Sequence, residues 1–159
     1  MRTGSNVGMI SDQELLEVLA GALRNGRGVA VPVSGSSMGP DFASVRDIVV
    51  EPFAPSAIRL GSIIAFQRNG RWIVHRVMWK FRRTADPFCI TKGDRLRALD
   101  RPFVKASEIK GIVVGLVTND GDTISLTSTP RRLAGRCLVM RGWLTVGLWS
   151  LLAFRPLSR

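Results

Sequence analysis

Between residues 29 and 126 the chain breaks into short apolar or β-branched runs divided by turn residues, and this rhythm restricts the fold more than any other feature. The runs cover 29–33, 47–51, 62–66, 72–79, 88–91, 109–117 and 123–126, each of strand length. Asn69-Gly70 separates two of them and is a strong hairpin signal, because a tight primed turn needs positive φ at both central residues. Asp120-Gly121 marks a second hairpin in the same way. No helical pattern intervenes, which argues against strand–helix–strand units with a parallel sheet. The expected fold is mainly β, an antiparallel barrel or coiled sheet.

Helical patterns flank this core. Ser11-Asp12-Gln13-Glu14 reads as a capping box. Leu15, Leu16, Val18, Leu19, Ala22 and Leu23 follow as a one-sided stripe, and Asn25-Gly26 supplies the stop. The spacing predicts a helix over 11–25. Residues 1–10 carry no periodic pattern and are expected to fray. The segment 133–159 is expected to form an apolar C-terminal helix following a domain of residues 11–132. Trp143, Leu144, Val146, Leu148, Trp149, Leu151, Leu152 and Phe154 wrap most of the way round it, wider than a single core-facing stripe. Two readings fit this segment equally: a helix at a lipid headgroup boundary over 140–155, or one packed on the sheet or in a dimer interface.

The 159 residues carry 23 Lys+Arg against 12 Asp+Glu, a net charge of +11. Such an excess calls for an anionic partner, nucleic acid or an anionic membrane surface. The arginines are scattered, tyrosine is absent, and there is no zinc-finger spacing, helix-turn-helix or interleaving of basic and aromatic residues. The sequence therefore points away from nucleic acid. Cys89, Cys137 and the single histidine, His75, offer at most three ligands between them, so no metal or other cofactor is expected. Both cysteines read as free or core thiols. The first residues lack the apolar core of a secretory signal, and no stretch reaches the roughly 20 apolar residues of a spanning helix. A cytoplasmic or membrane-peripheral location is the expectation.

The segment Ser34-Gly35-Ser36-Ser37-Met38-Gly39-Pro40 is the most informative for chemistry. A nucleophilic serine needs backbone that exposes its Oγ and aims amide donors at a developing oxyanion, and glycines with a proline allow such a turn. On its own this composition describes any tight turn. His75 lies on the second strand of the Asn69-Gly70 hairpin. Alternation gives it the face of Ile73, Val77 and Trp79, with Arg76 turned the other way. It reads either as a core histidine or as a general base suited to neutral pH. Asp94 and Asp100 follow the run at 88–91 among cationic residues. They are compatible with a solvated, salt-bridged loop or with a carboxylate that orients the imidazole.

In this order the segments resemble the type I signal peptidases. Ser36-Ser37-Met38-Gly39-Pro40 is similar to the Ser-Met-x-Pro box of that family, in which the serine before Met is the nucleophile. The stretches 47–50 and 58–66 resemble the two strand boxes that follow. Val74-His75-Arg76-Val77 resembles the box of the general base, Thr91-Lys92-Gly93-Asp94 with Asp100 the last box, and 109–113 the strand after it. The resemblance covers residues 31–117. It implies a signal-peptidase/LexA-like fold and a peptide-bond hydrolase that cleaves an extended peptide or precursor protein after small residues. Histidine in the base box implies the Ser/His/Asp variety of the endoplasmic-reticulum and archaeal relatives. Lys80, Lys92, Lys105 and Lys110 fall outside that box, which disfavours Ser/Lys chemistry.

By this resemblance Ser37 is the nucleophile and His75 the base. Asp100 orients it, with Asp94 a second acidic position. Ser34, Gly35, Ser36, Met38, Pro40, Ile64 and Phe66 are expected around the oxyanion and substrate, within a cleft formed by 38–42, 48–50 and 63–66. The sequence departs from the pattern in four ways: Gly35 occupies the place of a frequent oxyanion serine, an amphipathic helix that of a leading membrane span, Ser62 that of a frequent aspartate, and the loop after Asp94 lacks the usual asparagines. These departures leave open the maturation of a cytoplasmic precursor peptide, or an inactive relative that binds peptide or nucleic acid.

Overall fold

The computed structural model describes residues 12–33, 35–81 and 88–153. Ser11 and residues 1–10 fall outside them, and with them the capping box and the expected N-terminal fraying. Helix α1 (Asp12–Arg24) leads into strands β1 (Val29–Pro32), β2 (Val45–Glu51), β3 (Ile63–Arg68), β4 (Arg71–Phe81), β5 (Phe88–Lys92), β6 (Val104–Lys105), β7 (Ile109–Thr118) and β8 (Thr123–Ser125), followed by helix α2 (Thr129–Ala153). The eight strands form one antiparallel sheet in the order β1-β2-β7-β3-β4-β5-β6, with β8 beside β7. The sheet does not close, so the barrel alternative is set aside. β1 and β6 are its two ends, and Pro32, which has no N–H to give a neighbour, sits on the β1 end.

Both turn signals produce hairpins, by different geometry. Asn69 and Gly70 have φ of 51° and 72°, the double positive φ of the primed turn that joins β3 to β4. At the β7–β8 turn only Gly121 is left-handed, with φ of 90°. Its amide donates to the Thr118 carbonyl at 3.0 Å and the Thr118 amide to the Asp122 carbonyl at 2.9 Å. This is a three-residue loop ending in a glycine, which Asp-Gly supports as readily as the two-residue form. The α1 stop is also built as the sequence implies. Gly26, at φ 77°, donates to the Leu23 carbonyl, and Arg27 to that of Ala22, which satisfies the orphan carbonyls of the last turn.

Strand alternation sorts the core onto two faces of the sheet. Ile63 and Ala65 of β3 join Ile48, Val50, Val113 and Leu116 on one face, where Leu23 of α1 packs. Val18, expected in the same helical stripe, is exposed instead. Ile64 and Phe66 join Val77, Cys89 and Val104 on the other face. A smaller cluster of Met78, Ile90 and Val139 lies beneath α2.

That last contact is the sheet-packed placement, one of those left open for the C-terminal segment, while the expected start at 133 and the apolar character are corrected. Helix α2 begins at Thr129 and docks on β4. It also mixes exposed arginines with apolar residues rather than forming an apolar rod. A bulge in β4 corrects a third. Val77 pairs with Thr91 but Trp79 pairs with Ile90, so one residue is skipped and the alternation flips. Trp79 thereby leaves the face of His75 for the side that α2 covers.

Among the described residues no helix is long and apolar enough to cross a membrane.

Candidate active site

His75 sits at the centre of β4, across from Ile64 of β3. Its ring meets the edge of Phe66 with centroids 6.2 Å apart. The residues after β5 fold back onto the strand they have just left: the Asp100 amide donates to the Thr91 carbonyl at 2.9 Å, and Thr91 Oγ1 donates to Asp100 Oδ2 at 2.6 Å. Because Thr91 pairs with Val77 in β4, this return brings Asp100 beside the imidazole. His75 Nδ1 lies 2.7 Å from Asp100 Oδ2. Burial alone would push the Asp100 carboxyl up. Hydrogen bonds from His75 and Thr91, with the charges of His75 and Arg68, outweigh that and hold it below its ordinary value. An ionised carboxylate only accepts, so Nδ1 carries a proton, and in the neutral ring Nε2 then presents its lone pair outward.

That lone pair faces Ser37 Oγ at 3.1 Å. The serine stands in a turn closed by the Gly39 amide donating to the Ser36 carbonyl at 3.2 Å. Gly35 and Gly39 flank it with left-handed φ of 104° and 83°, where a side chain is strained. The loop after β5 clamps this turn, the Arg95 amide donating to the Ser37 carbonyl at 2.9 Å. Gly93 fills the space between. A Cβ there would lie 2.7 Å from the Ser37 carbonyl oxygen and 2.9 Å from His75 Nε2.

Asp94 is not brought to the imidazole. Its two oxygens accept from Arg76 Nε at 2.8 Å and Nη2 at 2.7 Å, and Arg76 Nη1 donates to the Gly61 carbonyl at 2.9 Å. The alternation that turns His75 toward Ser37 turns Arg76 the other way, so the two carboxylates serve neighbouring residues of one strand. No protein-family model matches this chain, and no curated protein matches it.

The remaining site candidates divide by burial. Gly35, Ser37 and Met38, with Val33, Phe42, Ala43 and Val45, border a cavity of about 240 Å³ beside the serine. Ser36 and Pro40 are exposed on the same turn. Ser34 lies outside the described residues. Ile64 and Phe66 are wholly buried, as are Ile48 and Val50. They have no surface from which to line a cleft, and Phe66 backs the His75 ring instead.

Sequence reasoning passed over three contributors: Thr91, Gly93 and Arg76. Each was in view inside a recognised box. Their roles depend on the β4–β5 register and on the path of residues 93–100, which neighbouring residues do not encode. Of the cysteines, neither of which is bonded, Cys89 is buried and Cys137 is exposed on α2. Burial pushes the Cys89 thiol up, against a smaller opposing effect of the Lys80 charge.

Proposed function

We propose that this protein is a serine endopeptidase related to the type I signal peptidases of the Ser/His/Asp variety. The observation that carries this reading is the continuous relay from Ser37 Oγ to His75 Nε2 at 3.1 Å and from His75 Nδ1 to Asp100 Oδ2 at 2.7 Å. A sheet left open at its ends suits a substrate bound as an extended strand. The cavity beside Ser37 would receive a side chain next to the scissile bond.

Ser37 Oγ attacks the peptide carbonyl carbon while its proton passes to His75 Nε2, and Asp100 stabilises the imidazolium. The carbonyl oxygen takes the negative charge, with the Ser37 backbone amide as its donor. Collapse breaks the C–N bond, and the Nε2 proton goes to the leaving amine. This leaves an ester on Ser37. Water then attacks the ester as its proton passes to His75. The departing serine oxygen takes the Nε2 proton, which restores the hydroxyl and the neutral imidazole and frees a carboxylate product. The left-handed φ of Gly35 gives a backbone reason for the absence of a serine at that position. Asp94 then acts as the partner of Arg76, not as an acid of the reaction.

The test is labelling of Ser37 by an activated phosphonate, followed by cleavage of a peptide library by the intact chain. Ser37→Ala and His75→Ala should each abolish cleavage while the circular dichroism spectrum is unchanged. Cleavage that survives either substitution sinks the reading.

A further inference from the structure

Helix α2 has two unlike faces. Gly135, Val139 and Gly142 are buried against the sheet. The glycines are there because the contact is close. A Cβ on Gly142 would lie 2.5 Å from Met78 Cε, and one on Gly135 would lie 3.1 Å from both Arg76 Nη1 and the Gly61 carbonyl oxygen. Trp143 Nε1 reaches the Met78 carbonyl at 3.4 Å and helps to set the rotation of the helix. At about 100° per residue, Leu133, Met140 and Leu144 form a row on the opposite side. They are 55%, 69% and 74% exposed. Exposed Arg136 and Arg141 flank the row, one on either side. Trp143, on α2, and Trp79, on β4, are both partly exposed.

The charge selects the occupant. Residues 123–159 hold six arginines and no Asp or Glu. A second copy of this helix laid along the row would bring arginines against arginines with no acid between them. Nucleic acid would leave Leu133, Met140 and Leu144 without an apolar partner. An anionic bilayer surface satisfies both demands, since its phosphates meet the arginines and its acyl boundary takes the row. The helix lies on such a surface rather than crossing it, since none of the described helices is apolar enough to span and its glycine face is committed to the sheet.

We propose that α2 is a membrane-docking surface that seats the domain on anionic phospholipid through Leu133, Met140 and Leu144, with Arg136 and Arg141 on the headgroups. The inference is independent of the reading of Ser37.

The full chain is sedimented with phosphatidylcholine vesicles, and with the same vesicles containing phosphatidylserine. Binding is expected on the anionic vesicles, reduced by salt, with a blue shift of tryptophan emission. The double substitution Met140→Glu and Leu144→Glu should abolish it. Arg136→Gln and Arg141→Gln should each weaken it about fivefold, from roughly 1 kcal/mol per basic residue at an anionic surface. All four positions face solvent, so the thermal midpoint should not change. No binding by the wild type, equal binding to neutral vesicles, or wild-type binding by the double glutamate variant overturns the proposal. A dimer that the glutamates dissociate, in a chain that ignores vesicles, overturns it in favour of self-association.

Discussion

Substituting Gly93 by alanine tests the proposed site without replacing any of its reacting groups. Gly93 does not need a left-handed φ, so alanine is compatible with its backbone. By itself the change would stabilise the chain by about 0.4–1 kcal/mol through the unfolded state. The contact decides otherwise. The new methyl would sit 2.7 Å from the Ser37 carbonyl oxygen and 2.9 Å from His75 Nε2, where separations under 3.4 Å are tighter than ordinary contact. Relief requires the turn and the imidazole to separate by roughly 0.5 Å or more. The Ser37 carbonyl is backbone held by the Arg95 amide and cannot swing aside.

The gap therefore opens along the Ser37–His75 contact, which at 3.1 Å is already near the long end of a hydrogen bond. A misplacement of this order costs up to about 100-fold in rate. Overpacking adds about 1–3 kcal/mol of instability, or roughly 2–12 °C in a domain of this size. The assay is the second-order rate of Ser37 labelling by an activated phosphonate, measured well below the melting transition with Ser37→Ala as the blank. Labelling of Gly93→Ala within about twofold of wild type would refute the claim that Gly93 holds the serine and imidazole in register.

The two carboxylates should separate in their effects. Asp100→Asn should keep the fold but lower the labelling rate by about three to four orders of magnitude, because the imidazole loses the partner that sets its tautomer. Since the Asp100 carboxyl is held below its ordinary value of 3.8, its contribution to stability is fully present above that pH. It is lost as pH falls further, so melting curves of wild type and Asp100→Asn should converge in acid. Asp94→Ala leaves Arg76 buried and unpaired, and should cost about 3 kcal/mol or more, read from urea unfolding. Lys92 is buried beneath α2, and burial, with a smaller repulsion from Arg141, lowers its pKa despite Asp94 and Asp100. Its charged form therefore opposes folding near neutral pH. Wild-type stability should rise as pH climbs toward 10.5, and Lys92→Met should remove that rise in melting curves taken across this range. A thiol reagent should modify Cys137 in the native chain and reach Cys89 only after unfolding.

Strand positions, the Asn69-Gly70 turn and the α1 stop were all legible in sequence, because each is specified by residues within a few places of one another. So was the facing of His75, since alternation along a strand needs no knowledge of its neighbours. The two-residue strand β6 was not legible, because Val104–Lys105 is too short for a period and exists only as a partner of β5. The reversal of Trp79 was hidden for a related reason: a bulge is a mismatch between two strands, and neither β4 nor β5 displays it alone.

The same boundary runs through the site. The order of serine turn, base strand and acidic loop is a property of the sequence, and it nominates Ser37, His75 and both aspartates together. Only the tertiary structure separates Asp100 from Asp94. One carboxylate is returned to β5 by Thr91 and meets the imidazole. The other is taken by Arg76, one residue along and on the opposite face of β4. The open sheet, the glycine-lined seat of α2 and its outward row of Leu133, Met140 and Leu144 were likewise decided in three dimensions. Spacing tells a helix which residues share a side, but only packing determines which side is spent on the sheet and which is left for a partner.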